Sequence, residues 1–336
     1  MIVNKIYRIK LSKVILTLGY LVLISCNSKR SNFRINQGEV FGTYYRFQID
    51  SNKDFSKQID SIFTEIDKAA NSYVERSEIS AFNKKGILKK PSLTFLNMLT
   101  QAKKYNQISN GYFSPSLYPL IKFWSKDLEN KSKIDSVAID SILKLTSFNN
   151  LVFDVNMVSA LKKGVEIDLS AMGEGYALDA IASILDKAKV SNYMVEVGGE
   201  MKCKGNNPNG KTWQVGIENP LIPVSQRGDS LMKIVKLKNK ALSTSGNYRK
   251  FYKDKLGNKY AHIIDSKTGY TIKCSLLSVS ILSQSSTKAD ALATACMSMG
   301  IDKAMTFIEQ TQDIEGFLIF QKDGKLKTWQ SSNFPE

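Results

Sequence analysis

Apolar residues recur with helical spacing in four stretches of the chain. Ile59, Ile62, Phe63, Ile66 and Ala70 follow the i, i+3, i+4, i+7 rhythm, which predicts a helix with one inward face. Leu93, Leu96, Leu99 and Ala102 repeat the pattern, with a stop near Gly111. A third helix is expected over 176–189, with Ala177, Leu178, Ile181, Ile184 and Leu185 inward. A fourth fits 287–299, with Ser286 as its N-cap and Gly300 as its stop. Strand-like runs occupy 44–49, 193–197, 213–217, 234–237, 260–264 and 277–282. Two more, 317–321 and 325–329, flank Asp323-Gly324, the dipeptide of a two-residue hairpin turn. Helices and strands interleave without a strict βαβ order. The pattern predicts an α+β fold with mixed or antiparallel sheet and packed helices. Polar, Asn/Gly-rich 204–211 and 219–230 read as surface loops.

The first 37 residues have a different texture. Lys5, Arg8, Lys10 and Lys13 stand without an acidic residue before the apolar run 14–25. That run is too short to span a bilayer comfortably but suits the apolar segment of a signal peptide. It ends Leu23-Ile24-Ser25-Cys26, a lipobox-like sequence. The chemistry of such a site requires a thiol, because the lipid is attached as a thioether. The expected division is a lipoprotein signal peptide at 1–25, a polar tether at 26–37 from the lipidated Cys26, and one globular domain at 38–336. The expected location is a lipid-anchored protein facing the periplasm or an equivalent space.

Composition narrows the class. A 43% hydrophobic and 23% charged chain with seven Pro has globular usage, so disorder, collagen and coiled coil are excluded. The net charge of +16 admits an anionic partner. No zinc-finger or RNA-binding motif accompanies it, so a Lys-rich solvated surface is the expectation and nucleic acid is not an expected partner. Cys203, Cys274 and Cys296 match no metal spacing and read as small buried apolar residues.

Three local patterns could carry chemistry. His262 is the one histidine, at the end of the 260–264 strand pattern, where alternation places it on one face with Ile264. A lone histidine is more often structural than catalytic, but a strand end running into the Thr268-Gly269 turn is where active sites gather. Asp290 and Thr294 are four apart on the fourth helix, hence on one face. A carboxylate with a hydroxyl is hard-oxygen ligation of the kind Mg²⁺ takes. Gly173-Glu-Gly175, between Ile167-Asp168-Leu169 and the third helix, has the strand, turn, helix order that can cradle phosphate. Gly198-Gly199-Glu200 is either a tight turn or a ligand contact.

Seven segments, in order, resemble the ApbE family of FAD:protein FMN transferases. They are Phe41-Gly-Thr-Tyr; Ser72-Tyr73 with Ser77-Glu-Ile-Ser-Ala-Phe-Asn83; Gly111-Tyr-Phe-Ser-Pro115; and Ile167 through Asp179 with Val197-Gly-Gly-Glu200. Ser243-Thr-Ser-Gly-Asn-Tyr-Arg249, His262 through Gly269 and Ala289-Asp-Ala-Leu-Ala-Thr-Ala295 complete the set. The resemblance implies Mg²⁺ on Asp290, Thr294 and the carbonyl of Ala171. It implies FAD, as substrate, at Phe41, Tyr73, Phe113, Ser114, Asp168, Glu174 and Ile264, with His262 as the important histidine. It implies FMN transfer to a Ser or Thr hydroxyl of an acceptor protein in an extracytoplasmic redox complex, with AMP released. Hydrolysis of FAD to FMN and AMP, and FAD binding without turnover, are the two alternatives. Three positions depart from the family pattern: Glu174 stands in place of Lys, Ser114 of Asp and Phe41 of Met.

Overall fold

The computed structural model describes residues 32–127, 134–222, 230–247, 251–272 and 275–335. The chain opens with β1 (Phe33–Val40), β2 (Thr43–Asp50), α1 (Ser56–Ala70), α2 (Glu78–Lys85), β3 (Ile87–Lys89) and α3 (Leu93–Ile108). Then follow α4 (Tyr118–Lys122), α5 (Ser136–Leu143), β4 (Leu151–Phe153), β5 (Met157–Ala160) and α6 (Gly173–Lys187). The second half holds β6 (Tyr193–Val197), β7 (Glu200–Lys204), β8 (Trp213–Glu218), β9 (Leu231–Leu237), β10 (Ala241–Gly246), β11 (Phe251–Lys253) and β12 (Lys259–Ala261). It closes with β13 (Leu276–Ser283), α7 (Ser286–Met299), α8 (Ile301–Gln310), β14 (Ile314–Lys322) and β15 (Lys325–Gln330).

Eight strands form one sheet in the order β1-β2-β6-β7-β10-β13-β14-β15, every pair antiparallel. Helices α1, α3, α6, α7 and α8 share the main core cluster with inward residues of that sheet such as Phe47, Val195 and Val279. The β8–β9 hairpin lays Trp213, Val215, Ile217, Val235 and Leu237 against Leu242, Leu282, Phe317 and Ile319. Residues on opposite faces of β13 therefore reach different clusters. That explains why all eight of its residues are buried and why its run is continuous rather than alternating. The α+β, antiparallel expectation is what the structure shows, in one compact unit from Phe33 onward.

Hairpin chemistry behaves as expected at Asp323 and Gly324, whose φ angles of 55° and 70° make the turn between β14 and β15. The β1–β2 turn uses the same geometry with a less suited residue. Phe41 sits at φ 53° and Gly42 at 75° between the paired Val40 and Thr43. A bulky aromatic in the left-handed region costs strain, and such strain gathers at functional sites.

α7 is the helix around which the site is built. It is buried on nearly every side, so Ala289, Ala291, Ala293 and Ala295 let neighbours close in around it. Its N-terminus is capped twice. The Ser285 hydroxyl accepts from Lys288 N–H, and Asp179 of α6 accepts from the N–H groups of Ser286 and Thr287 at 2.9 and 3.0 Å. Asp179 also accepts from the hydroxyls of Ser285 and Thr287 at 2.7 Å each and pairs with Lys202 at 2.6 Å. Burial pushes its pKa up, but Lys202 and these donors outweigh burial and hold it below the usual carboxylate range. Asp179→Ala strands several buried donors and an ammonium. A loss of about 3–5 kcal/mol is expected, read as a drop in denaturant midpoint. Because the folded pKa is depressed, the stabilisation exists above the ordinary aspartate pKa and disappears as pH falls through the folded value. The Ala variant should therefore lose less against wild type in acid than at neutrality.

Several expectations are corrected. Residues 33–37 of the expected tether are the first part of β1, paired with β2 from Phe33↔Asp50 onward. Polar residues suit this edge strand, which has solvent along one side. The N-cap of α7 is Ser285, one residue before the expected Ser286. Gly300 ends α7 and also opens α8, which the sequence reading stopped short of. α6 begins at Gly173, so Gly173-Glu-Gly175 is its first turn rather than a loop before it. The strand expected at 260–264 ends at Ala261, and His262 lies beyond it in a bend. Strands β3, β4 and β11 have three residues each, too few to show a period. Cys203 and Cys296 are buried free thiols, both pushed up in pKa by burial. Cys26 and Cys274 lie outside the described residues, as does part of the 219–230 loop.

Candidate active site

One face of α7 organises the site. Asp290, Thr294 and Ser298 follow one another at four-residue steps. The Asp290 carboxylate accepts from the Gly175 N–H at 3.0 Å, in the first turn of α6. Only glycine fits there: a Cβ at 175 would lie 2.5 Å from the Ser286 carbonyl oxygen and 2.8 Å from Asp290 Cβ. At the other end, the Ser298 hydroxyl donates to the Ile264 carbonyl at 3.1 Å and accepts from Ser266 N–H at 3.3 Å. The histidine-bearing turn is thus stitched to the helix that carries the hard-oxygen pair.

A cleft of about 480 Å³ opens beside this face. Tyr73, Phe113, Ser114, Asp168, Ala171, Glu174, His262, Ile264 and Thr294 all line it. A second cavity of about 430 Å³ is lined by Phe41, Gly42, Ile66 and Met98 and shares Tyr73, Ser170 and Glu174 with the first. Of the residues expected in a site, all the cleft-lining ones therefore meet in two adjoining cavities. Asp290 is buried one turn behind Thr294, and Cys26 lies outside the described residues.

Local structure explains how these residues are held. Phe41, fixed by its strained turn, packs edge-on against Phe63 at 5.5 Å. Asp168 accepts from Ser170 N–H at 2.6 Å and from the Ser72 hydroxyl at 3.3 Å, while its own N–H donates to the Pro115 carbonyl. The Asn83 side chain grips Ile167 from both sides, donating to its carbonyl and accepting its N–H at 2.8 Å each. The Ser114 hydroxyl donates to the Thr146 carbonyl at 3.0 Å. Tyr73 stands on the rim with 94% of its surface exposed, an aromatic face open to a planar ring.

Electrostatics single out the floor. Burial pushes the Asp290 carboxyl well above the usual range, and the charges of Glu200 and Glu174 add to that. Burial likewise raises Glu200, with Glu174 next in importance, to about 8. Glu174 thus acts on Asp290 from the first turn of α6. Two buried acids that resist ionisation beside the Glu174 charge form an environment in which a cation is favourable. Among the described residues no three His, Cys, Asp or Glu side chains converge at ligating distance. The Asp290 carboxylate, the Thr294 hydroxyl and the Ala171 carbonyl are hard-oxygen donors, the type such a cation takes. The short turn carrying Ala171 packs against α7, and both Ala171 and Thr294 border the cleft.

The sequence pattern of the ApbE family matches residues 41–318. This chain belongs to the ApbE family. It is similar to the FAD:protein FMN transferase of Vibrio cholerae, 31% identical, over 94% of this chain and 95% of that protein. It is similar to the protein of the same name from Haemophilus influenzae, 28% identical, over 96% of each. Among solved structures, flavin transferase ApbE from Vibrio cholerae superposes with a TM-score of 0.77 at 30% identity, over 90% of this chain and 98% of that one. The Thermotoga maritima ApbE protein gives 0.77 at 26% identity, over 90% and 99%.

Two tyrosines outside the recognised segments, Tyr118 and Tyr252, also line the cleft of this ApbE chain, and burial raises both, Tyr252 to about 12. Ser245, within the 243–249 segment, lines it too. Ser298 could have been reached by stepping four residues beyond Thr294. Asn83 and Glu200 lay within recognised segments, but only their partners reveal what they do.

Proposed function

We propose that this ApbE protein transfers FMN from FAD to a Ser or Thr hydroxyl of an acceptor protein, with Mg²⁺ bound beside the diphosphate. The relatives named FAD:protein FMN transferase support the flavin chemistry. The observation that carries the reading is that His262, Thr294 and Ala171 border one cleft while the Ser298 bonds tie the His262 turn to the Asp290-bearing helix. FAD would lie across the two cavities, with Phe41, Tyr73 and Phe113 offering aromatic surface to its rings and Ser114, Asp168, Glu174 and Ile264 lining its path. Mg²⁺, held by Asp290, Thr294 and the Ala171 carbonyl, supplies positive charge against the diphosphate when bound.

The acceptor hydroxyl attacks the phosphorus on the FMN side. A new P–O bond forms, the bond to the bridging oxygen breaks, and AMP leaves with the electron pair. An alcohol needs a base for this, and imidazole is the side chain whose ordinary pKa suits neutral pH. His262 takes the hydroxyl proton. The test is incubation of protein, FAD, Mg²⁺ and a candidate acceptor, followed by mass spectrometry. A gain of one FMN on the acceptor, abolished by EDTA, is expected. Free FMN and AMP with an unmodified acceptor would make it a hydrolase, and no AMP a binding protein.

The proposed setting is the outer face of the cytoplasmic membrane, with acceptors in extracytoplasmic redox complexes. The motif ending at Cys26 supports lipid attachment there. Cys26→Ala should abolish incorporation of labelled fatty acid and leave the flavin transfer of the purified protein intact. Equal labelling of wild type and variant would remove the anchor from the account.

A further inference from the structure

We propose that the three-stranded sheet β3-β5-β4 is a docking face for an anionic lipid surface. The inference stands apart from the flavin reading. The inward side of this sheet, with Leu88, Leu151, Phe153 and Val158, packs on the main core. Its outward side presents Ile87, Val152 and Met157, each 37–45% exposed. The β4–β5 turn adds Val155 at 74% and the segment after β5 adds Leu161 at 60%. Apolar side chains gathered on one exposed pleat mark a contact surface.

The charges around them identify the partner. Lys89 shares the outward side with Met157, and Lys84, Lys85, Lys90, Lys162 and Lys163, in the segments that adjoin β3 and β5, are all exposed. Asp154 is the one acid in 84–90 and 151–163, and its carboxylate is occupied by the N–H groups of Asn156 and Met157 at 2.8 and 2.9 Å. Lysines on flexible stems reach phosphate while the apolar side chains enter the headgroup layer, the composition of an interfacial membrane contact. Protein interfaces are depleted in lysine, which favours lipid over an acidic protein here.

The experiment uses the full chain on vesicles of phosphatidylcholine with and without phosphatidylglycerol, so that residues preceding the fold are common to both arms. Amide hydrogen exchange in 84–91 and 151–163 should slow several-fold on the anionic vesicles alone, and the effect should fade at high salt. The variant Lys84→Glu, Lys85→Glu, Lys89→Glu, Lys90→Glu should lose that protection while keeping wild-type flavin turnover and thermal midpoint. Val155→Ser with Leu161→Ser, which leaves every charge in place, should weaken it by about tenfold. Unchanged exchange on anionic vesicles, or equal protection on both vesicle types, overturns the proposal. Protection by poly-glutamate with none by vesicles assigns the face to an acidic protein and equally overturns it.

Discussion

Replacing His262 by Ala should lower turnover by about 10²–10⁴-fold while FAD affinity changes little. In the proposed reaction the imidazole is the base for the acceptor hydroxyl, a role exercised in the transition state and not in flavin binding, so the loss should fall on kcat. His262 sits in a bend beyond β12, and the Ser298 contacts hold that bend through the backbone of Ile264 and Ser266 rather than through the imidazole. Those backbone bonds remain when the imidazole is truncated. Single-turnover kinetics with acceptor in excess, alongside flavin fluorescence titration, separate the two quantities. Undiminished turnover would remove His262 from the chemistry.

Asp290→Asn should abolish Mg²⁺-dependent turnover and, in the metal-free protein, raise stability. Asn keeps an oxygen for the Gly175 N–H and the volume of the site, and it removes a charge. The wild-type carboxyl resists ionisation because of burial and the charges of Glu200 and Glu174. A carboxylate whose folded pKa is raised destabilises the fold once pH exceeds its unfolded value. Folded metal-free protein then binds more protons than unfolded chain, and stability falls as pH rises from the ordinary carboxylate range to about 8, where Glu200 ionises. The variant should flatten part of that slope and melt above wild type at neutral pH. Mg²⁺ should raise the Tm of wild type and leave that of the variant unchanged. A variant less stable than wild type without metal, or still responsive to Mg²⁺, would refute this account of the floor.

These two sites differ in how they could be found. His262 is the one imidazole available, so residue type alone marks it. Asp290 and Thr294 were legible through helical arithmetic, because i and i+4 share a face wherever the helix lies. The acids that alter Asp290 were not legible, since Glu174 and Glu200 come from α6 and β7 and meet it only through packing. Asp179 ends the 167–179 segment with nothing local to mark it, yet it caps a helix 106 to 108 positions downstream. The lysine-bearing segments next to Ile87 and Val152 come together in the same way, because α2 and β3 lie more than 60 residues from the β4–β5 hairpin in the chain.

By itself, the sequence determined the main helices, the apolar strands, the hairpin at Asp323-Gly324 and the residue types able to do chemistry. Those depend on spacing and local backbone preference, which act within a few residues. Only the tertiary structure decided that α7 would be buried on nearly all sides, that Gly175 must lack a side chain, and that the polar start of the domain would be a strand. Each of these is an effect of one segment on another: Gly175 and Asp290, 115 positions apart, touch because the fold brings two helices within hydrogen-bonding reach. No local pattern carries that information, because the energy that selects it belongs to the contact and not to either segment.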